Sequence, residues 1–262
     1  MAEITAAMVK SLREDTGQGM MECKKALEET NGDIEAAKDL LRKKAGAKAE
    51  KKADRETSEG LVALHVSDDK KTATMVEVRC ETDFCARNDV FVEMVDQVLE
   101  YAKSAQAGEV TDDEAIKTAV QEAFTKIGEN MSYGRGVKIS AEKVGGYRHH
   151  NNKVGVIVGV DQDVDDEILT GVCMHIAFSD PMGITVDDIP ADVAEKERKF
   201  AVEQAVESGK PQEIAEKMVE GKMRKFLSQN ALMEQAYVRD ESKTIKEVLG
   251  GATVTAFARF AL

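Results

Sequence analysis

Residue pairs that could bind phosphate occur in this chain, but not at the spacing that the chemistry requires. The two Gly-Lys pairs, at 209–210 and 221–222, have neither a glycine five positions earlier nor a following Ser or Thr, and a phosphate-binding loop needs both. The motifs GxSxG, HExxH and GxGxxG do not occur in the sequence, which removes common hydrolase, metalloprotease and dinucleotide-binding patterns. We therefore predict that the chain is not an enzyme, has no catalytic residue and needs no cofactor.

Histidine and cysteine are the side chains that would hold a metal ion or act as a nucleophile. The four cysteines form no CxxC pair and stand at positions 23, 80, 85 and 173. The adjacent His149 and His150 supply at most two of the three or four ligands that zinc needs. Cys85 could be a nucleophile, but no motif places a base beside it, and a small, partly buried residue is the favoured interpretation. We expect no metal site, and we expect free thiols in a reducing cytoplasm.

Apolar residues stand at two places where a simple core would not need them. Met20 and Met21 are consecutive at the start of a predicted helix, where neighbouring side chains point about 100° apart, so we expect one of them to be exposed. Phe84 lies in the polar stretch 81–89, which we predict to be a loop between a strand and a helix. Two alternatives stay open at both places: the side chain packs inside its own domain, or it is presented to a partner.

Composition narrows the choice of partner. The chain has 262 residues, with 36 Lys and Arg against 49 Asp and Glu, a net charge of −13, and 8 Phe, 4 Tyr and no Trp. This charge works against binding to phosphate backbones, and few rings are available to stack on bases, so we expect no direct nucleic acid partner. The longest unbroken run of apolar residues and glycine is 154–160, and no basic start precedes an apolar block. We expect neither membrane insertion nor secretion, and a cytoplasmic location.

Three short amphipathic segments occupy the first 45 residues. Thr5 and Asp33 are suitable N-caps for the first and third segments, and Gly17 and the Asn31-Gly32 pair interrupt the pattern between them. Three apolar stripes can be buried only against one another or against a partner, so residues 1–45 are predicted to form a three-helix domain. Positions 42–60 have no Leu, Ile, Val, Met or aromatic residue, which predicts a charged linker, helical or mobile, that contributes nothing to a core.

The remaining sequence mixes strand and helix patterns. Residues 61–66 and 72–79 are predicted strands around a polar turn, and helices and further strands follow. Two charged helical segments, at 190–207 and 211–227, are predicted to pack as an antiparallel hairpin. Its thin apolar seam is predicted to consist of Val193, Phe200, Ile214, Met218 and Leu227.

Several stretches together resemble the translation elongation factor Ts family. They are LREDTGQGMMECKKAL at 12–27, NGDIEAA at 31–37, TDF at 82–84, KIGEN at 126–130, MHIA at 174–177 and KPQEIAEKMVEG at 210–221. The tripeptide TDF alone would carry no information, whereas the combination is specific and extends over almost the whole chain.

The resemblance implies an α+β fold with an N-terminal three-helix, ubiquitin-associated-like domain. A core of two subdomains with antiparallel sheets would follow, with an antiparallel helical hairpin inserted into the second. The implied limits are 1–45 for the three-helix domain, 46–60 for the linker, 61–143 for core subdomain N, 144–186 and 228–262 for core subdomain C, and 187–227 for the hairpin. The hairpin is predicted to be a coiled coil through which the chain could form a homodimer.

The function that the resemblance implies is guanine-nucleotide exchange on elongation factor Tu, the GTPase that delivers aminoacyl-tRNA to the ribosome. In the family, an Asp-Phe pair enters the GTPase domain near the bound magnesium ion. This assigns the exchange-promoting contact to Thr82, Asp83 and Phe84.

Further contacts with the GTPase are implied elsewhere in the chain. The N-terminal domain of the family grips another helix of the GTPase domain, which assigns partner contacts to Leu12, Arg13, Met20 and Met21. In the family, a histidine of the core also contacts the partner. It corresponds to His149 or to His150, because the hairpin 147–153 is one residue longer than the family pattern.

One rival interpretation belongs to another class of protein. The small helical domain could bind ubiquitin-like or other helical ligands, with the core as a scaffold, and the chain would then be an adaptor without exchange activity. Release of fluorescent GDP from elongation factor Tu distinguishes the two interpretations.

Overall fold

The computed structural model describes residues 3–207, 209 and 211–262. Residues 1 and 2 of the predicted three-helix domain, and Ser208 and Lys210 in the predicted turn of the hairpin, lie outside the described residues. The chain divides into two units: the first contains the chain up to Ala63, Met75–Val137 and Leu262, and the second contains Leu64–Thr74 and Lys138–Ala261. The predicted α+β fold class is confirmed.

Three helices begin the first unit, as the capping residues predict. They are α1 (Ala6–Thr16), α2 (Met20–Glu29) and α3 (Ile34–Lys52). The Thr5 hydroxyl accepts a hydrogen bond from a backbone N–H of the first turn of α1, and Asp33 does the same for α3. Gly17 ends α1 in the left-handed conformation at φ 67°. The helices share a core of their own, formed by Val9, Leu12, Cys23, Ala26, Leu27, Ala37 and Leu41.

The first part of the predicted linker is helical. Helix α3 continues to Lys52, and Ala45 is buried. The expectation that positions 42–60 contribute nothing to a core is therefore wrong at Ala45. It considered only large apolar side chains, whereas a methyl group is enough to fill the space where a helix lies close to its neighbours.

A sheet and two long helices complete the first unit. The elements in chain order are β1 (Glu59–Val66), β2 (Thr72–Cys80), α4 (Asp83–Ala86), α5 (Asp89–Lys103), β3 (Gly108–Glu109), α6 (Glu114–Ile127) and β4 (Met131–Ser140). The strands hydrogen-bond in the order β1-β2-β4-β3. Asn88 and Asp113 cap α5 and α6, and Gly128 ends α6 in the left-handed conformation. The inner faces of α5 and α6 share one apolar cluster with buried residues of β2, including Val76, Val78 and Cys80.

The second unit is built on a three-stranded antiparallel sheet. Its strands β5 (Lys143–Arg148), β6 (Val154–Val160) and β9 (Val254–Ala261) pair in the order β5-β6-β9. The central strand is buried over six of its seven residues, which explains its unbroken apolar sequence. Helix α7 (Asp166–Ser179) packs on this sheet. The smaller elements β7 (Ala236–Tyr237), β8 (Asp240–Thr244) and α10 (Ile245–Val248) lie between the hairpin and β9.

The predicted helical hairpin is present in the second unit, but its seam differs from the prediction. It consists of α8 (Ala191–Glu207) and α9 (Gln212–Asn230). The buried residues between them are Ala201, Ala205, Val219 and Met223. The predicted seam is wrong at Phe200 and Ile214, which are exposed. Alanine lets the two helix backbones approach closely, so the alanine face of α8 is the one that packs.

Among the helices of the described chain, none has both the length and the apolar character needed to span a membrane.

His175 in α7 is buried and hydrogen-bonded at both ring nitrogens. Its Nε2 lies 2.8 Å from Oε1 of Gln235, and its Nδ1 accepts a hydrogen bond from the backbone N–H of Val238 at 3.2 Å. Because an amide N–H can only donate, Nδ1 carries no proton. Burial lowers the pKa of His175 below its ordinary value of 6.5, although the bond to Gln235 opposes this. The neutral ring is therefore part of the folded structure.

We expect His175 to make the second unit less stable as the pH falls below the ordinary imidazole pKa of about 6.5. In that range the unfolded chain binds a proton at His175 while the folded chain resists protonation, so the unfolded state gains free energy. Urea unfolding of the wild-type protein and of His175→Gln at pH 7.5 and 5.5 measures this. The stability difference between the two proteins should be smaller at pH 5.5, because Gln does not titrate. An equal difference at both pH values would contradict the assignment.

Candidate functional site

Among the described residues of the first unit, Phe84 is the most exposed large apolar side chain. It lies in the one-turn helix α4, so the prediction that it lies in a loop is wrong. The Thr82 hydroxyl caps this helix by accepting a hydrogen bond from the Cys85 N–H at 3.1 Å. Cys85 and Ala86 are buried in the core, which leaves Phe84 on the outer side of the turn. Its side chain is 81% exposed, so it is presented to the solvent and not packed under its own chain.

Asp83 is also accessible. Its carboxylate forms an ion pair with Arg87 one turn later, at 3.0 Å, and both side chains are exposed. Ion pairs of this kind at the surface contribute little to stability because water competes for both groups. The Asp83 carboxylate can therefore exchange Arg87 for a donor on another molecule at small cost.

The two cysteines beside this helix have structural roles. The Cys80 thiol donates to the backbone oxygen of Thr82 at 3.3 Å, and both Cys80 and Cys85 belong to the apolar core. Contact with the Cys85 thiol and burial raise the pKa of Cys80, so this thiol stays protonated. Burial also disfavours the nucleophile role that Cys85 could have had. All four cysteines are free and buried. Among the described residues, no group of three or more His, Cys, Asp and Glu side chains is arranged to hold a metal ion.

Both methionines at the start of α2 are exposed. Met20 is 56% and Met21 62% exposed, whereas the sequence predicted one exposed side chain. They begin the helix directly after Gly19, which supplies no side-chain cap, so no capping group covers them. Leu12 lies in the core of the three helices and is completely buried, while Arg13 is exposed. Leu12 can therefore act on a partner only by holding α1 in place.

His149 and His150 lie in the second unit, just after β5. The Tyr147 hydroxyl lies 2.7 Å from Nδ1 of His149, and the centroids of the two imidazole rings are 4.2 Å apart. His150 is exposed and His149 is half-buried. Asn152 adopts the left-handed conformation at φ 57° in the following turn. The tilted contact between the two rings, at an interplanar angle of 53°, and the tyrosine contact orient His149 and leave His150 accessible.

Comparison with known proteins identifies the family. The family model described as Elongation factor TS matches residues 81–262. The chain belongs to the elongation factor Ts family. The relatives are named elongation factor Ts: the protein of Hydrogenovibrio crunogenus is 43% identical over 98% of this chain and 90% of its own length. The protein of Idiomarina loihiensis is 45% identical with the same coverage, and that of Sodalis glossinidius is 45% identical over 99% of this chain and 92% of its own.

Membership of the elongation factor Ts family defines the activity. Members are nucleotide exchange factors for elongation factor Tu in translation, and they are not enzymes. Elongation factor Tu is therefore the partner, and the cytoplasm is where the protein works.

Residues 82–84 lie where strand β2 passes into the buried turn of α4; Thr82 and Asp83 are half-buried there and Phe84 is exposed. Sequence reasoning missed Glu129, whose carboxylate accepts a hydrogen bond from the Thr82 hydroxyl at 2.9 Å. The KIGEN motif at 126–130 contains this residue, but 47 positions separate the two, and spacing alone cannot reveal such a contact.

Proposed function

We propose that Phe84 and Asp83 promote the release of GDP from elongation factor Tu by displacing groups around its magnesium ion and phosphates. The exposure of Phe84 is the observation that supports this most strongly. In GTPases the metal ion bridges the phosphates and neutralises their charge, so a disturbance of its surroundings weakens nucleotide binding. An exposed ring can enter the partner without unfolding any part of its own chain.

Linkage explains how a contact accelerates exchange. An exchange protein that binds the nucleotide-free GTPase more tightly than the loaded one weakens nucleotide binding. Bound nucleotide weakens the binding of the exchange protein to the same extent. Burying a phenyl ring contributes about 1.5–3 kcal/mol. When the ring is buried only in the opened GTPase, this free energy favours the opened state. Asp83 would support opening through its charge or by accepting a hydrogen bond.

Phe84→Ala should slow GDP release by about tenfold to a hundredfold, the equivalent of 1.5–3 kcal/mol, and leave the melting temperature nearly unchanged. The measurement is the release of fluorescent GDP from elongation factor Tu in excess unlabelled GDP. Phe178→Ala is the matched control, because Phe178 is 79% exposed and lies in the second unit. Exchange at the wild-type rate by Phe84→Ala would refute the role of the ring. Unfolding several degrees early would instead assign Phe84 to the core.

We also propose that residues 1–45 form a docking domain whose contact surface includes Met20, Met21 and Arg13. The exposure of both methionines and the separate core of the three helices support this. Methionine is flexible and apolar and therefore adapts well to a partner surface. His149 and His150 are proposed as a weaker contact from the second unit.

Replacing Met20 and Met21 together by Ala should weaken binding to nucleotide-free elongation factor Tu by about tenfold or more, because two exposed apolar side chains no longer become buried. The folded domain should keep its stability, since neither side chain belongs to its core. Titration calorimetry measures the affinity. Met182→Ala, at an exposed methionine in the second unit, is the control. Equal affinity of the double variant and the wild-type protein would show that the methionines lie outside the interface.

A homodimer through the hairpin is a further proposal. Val202 and Val206 on α8 line a groove of about 540 Å³ together with Ala215 and Val219 on α9. A second copy of the chain would bury this apolar surface. Sedimentation equilibrium should show a dimer that dissociates when Val202 and Val206 are both replaced by Asp. Phe200→Asp, on another side of α8, should leave it intact. A monomeric wild-type protein would contradict the proposal.

A further inference from the structure

The connection 128–130, between α6 and β4, is hydrogen-bonded through each of its residues. The carbonyl oxygen of Gly128 accepts from the Lys52 ammonium group. The Glu129 carboxylate accepts from the Thr82 hydroxyl at 2.9 and 3.2 Å. The Asn130 side chain donates to the backbone oxygens of Ala53 and Arg55, at 3.3 and 2.8 Å. One short connection thus contacts the end of the three-helix domain and the start of α4.

The bond from Thr82 to Glu129 determines how Thr82 caps α4. A hydroxyl group can donate one hydrogen bond, and the carboxylate of Glu129 accepts the bond from Thr82. The oxygen lone pairs of Thr82 then remain for the Cys85 N–H, which donates at 3.1 Å. Hydrogen bonds to a charged acceptor are stronger than neutral ones. Glu129 therefore holds the Thr82 side chain in the rotamer that caps the helix carrying Phe84.

Asn130 links the segment 53–55 to Glu81. Besides the two side-chain bonds, its backbone N–H donates to the Glu81 carboxylate at 2.5 Å, and Arg55 pairs with the same carboxylate at 3.2 Å. Burial alone would raise the pKa of Glu81, but the bonds from Asn130 and Arg55 outweigh it and lower that pKa. Glu81 is thus a charged acceptor directly before the 82–84 segment.

We propose that Glu129 and Asn130 are positioning residues for nucleotide exchange. Glu129 fixes the 82–84 segment through Thr82, and Asn130 fixes the segment 53–55 that follows the three-helix domain. The two surfaces proposed to contact elongation factor Tu are thereby held at a constant separation. This inference rests on the proposed function of Phe84 and of the three-helix domain. It adds two residues that act through their hydrogen bonds to Thr82 and to the segment 53–55.

The two positions should affect different kinetic parameters. The orientation of Phe84 matters after docking, when the ring enters the opened GTPase. Substitution of Glu129 should therefore change the maximal rate of GDP release. The separation of the two surfaces sets the effective concentration of the second contact once the first has formed. Asn130 should therefore change the concentration of factor that gives half-maximal release.

The experiment follows the release of fluorescent GDP from elongation factor Tu at rising concentrations of full-length factor. Glu129→Ala should lower the maximal rate about fivefold to tenfold, the equivalent of one lost helix cap, with less than about a twofold change in the half-saturating concentration. Thr82→Val, which lacks the hydroxyl, should match it, and Thr82→Ser, which keeps the hydroxyl, should restore the wild-type rate. Asn130→Ala should raise the half-saturating concentration and keep the maximal rate. Glu122→Ala, at an exposed position of α6, is the control.

The outcomes separate this inference from the proposal on which it rests. If Phe84→Ala is impaired but Glu129→Ala has the wild-type maximal rate, the positioning role is wrong and the role of Phe84 stands. If Phe84→Ala itself has the wild-type rate, the proposed function fails. Should Glu129→Ala unfold, Thr82→Val replaces it, because that variant removes the same hydrogen bond from the donor side. If the Glu129 and Asn130 variants have a lower melting temperature but unchanged values of both kinetic parameters, the two residues have a merely structural role and the inference is overturned.

Discussion

The hydrogen bond from the Cys85 amide to the Thr82 hydroxyl is the interaction on which the exposed position of Phe84 depends. Helix α4 has four residues, and a helix of this length is not stable by its own backbone bonds. Two constraints maintain it: the Thr82 cap at its start, and the burial of Cys85 and Ala86 in the core. Together they leave Phe84 a single direction, away from the core.

The exposure of a phenyl ring to water is unfavourable, and a partner that buries the ring removes this cost. The gain from its burial is small compared with the stability of a domain, but it is realised only where the partner offers an apolar space. An exchange factor needs such a difference between two states of its target, and not tight binding to both. The cap and the bond to Glu129 hold the ring rigid before binding, which avoids an entropy cost during binding.

Local rules predicted the local structure of this chain well. The residue types of Thr5, Asp33 and Gly17 predict helix caps, and the structure confirms each one. Rules based on side-chain size were less reliable. They placed Phe200 and Ile214 in the hairpin seam, whereas the alanines of α8 pack there, and they missed the buried Ala45.

The candidate site shows the same limit more clearly. The sequence shows that Phe84, Met20 and Met21 are apolar residues at unusual positions. Only the structure shows that their side chains are exposed and not packed in the core, because exposure depends on what the rest of the fold covers. The contact between Thr82 and Glu129 joins residues 47 positions apart. No periodicity or capping rule connects them, because the pairing of β2 with β4 brings them together.

A double-mutant cycle of Phe84→Ala and Glu129→Ala tests the central claim most directly, with the maximal rate of GDP release from elongation factor Tu as the measured quantity. If Glu129 acts by holding Phe84 in place, its loss has no further effect once the ring is gone. The account therefore predicts that the double variant releases GDP at the rate of Phe84→Ala alone. A double variant in which the two losses multiply would contradict it, because Glu129 and Phe84 would then act independently.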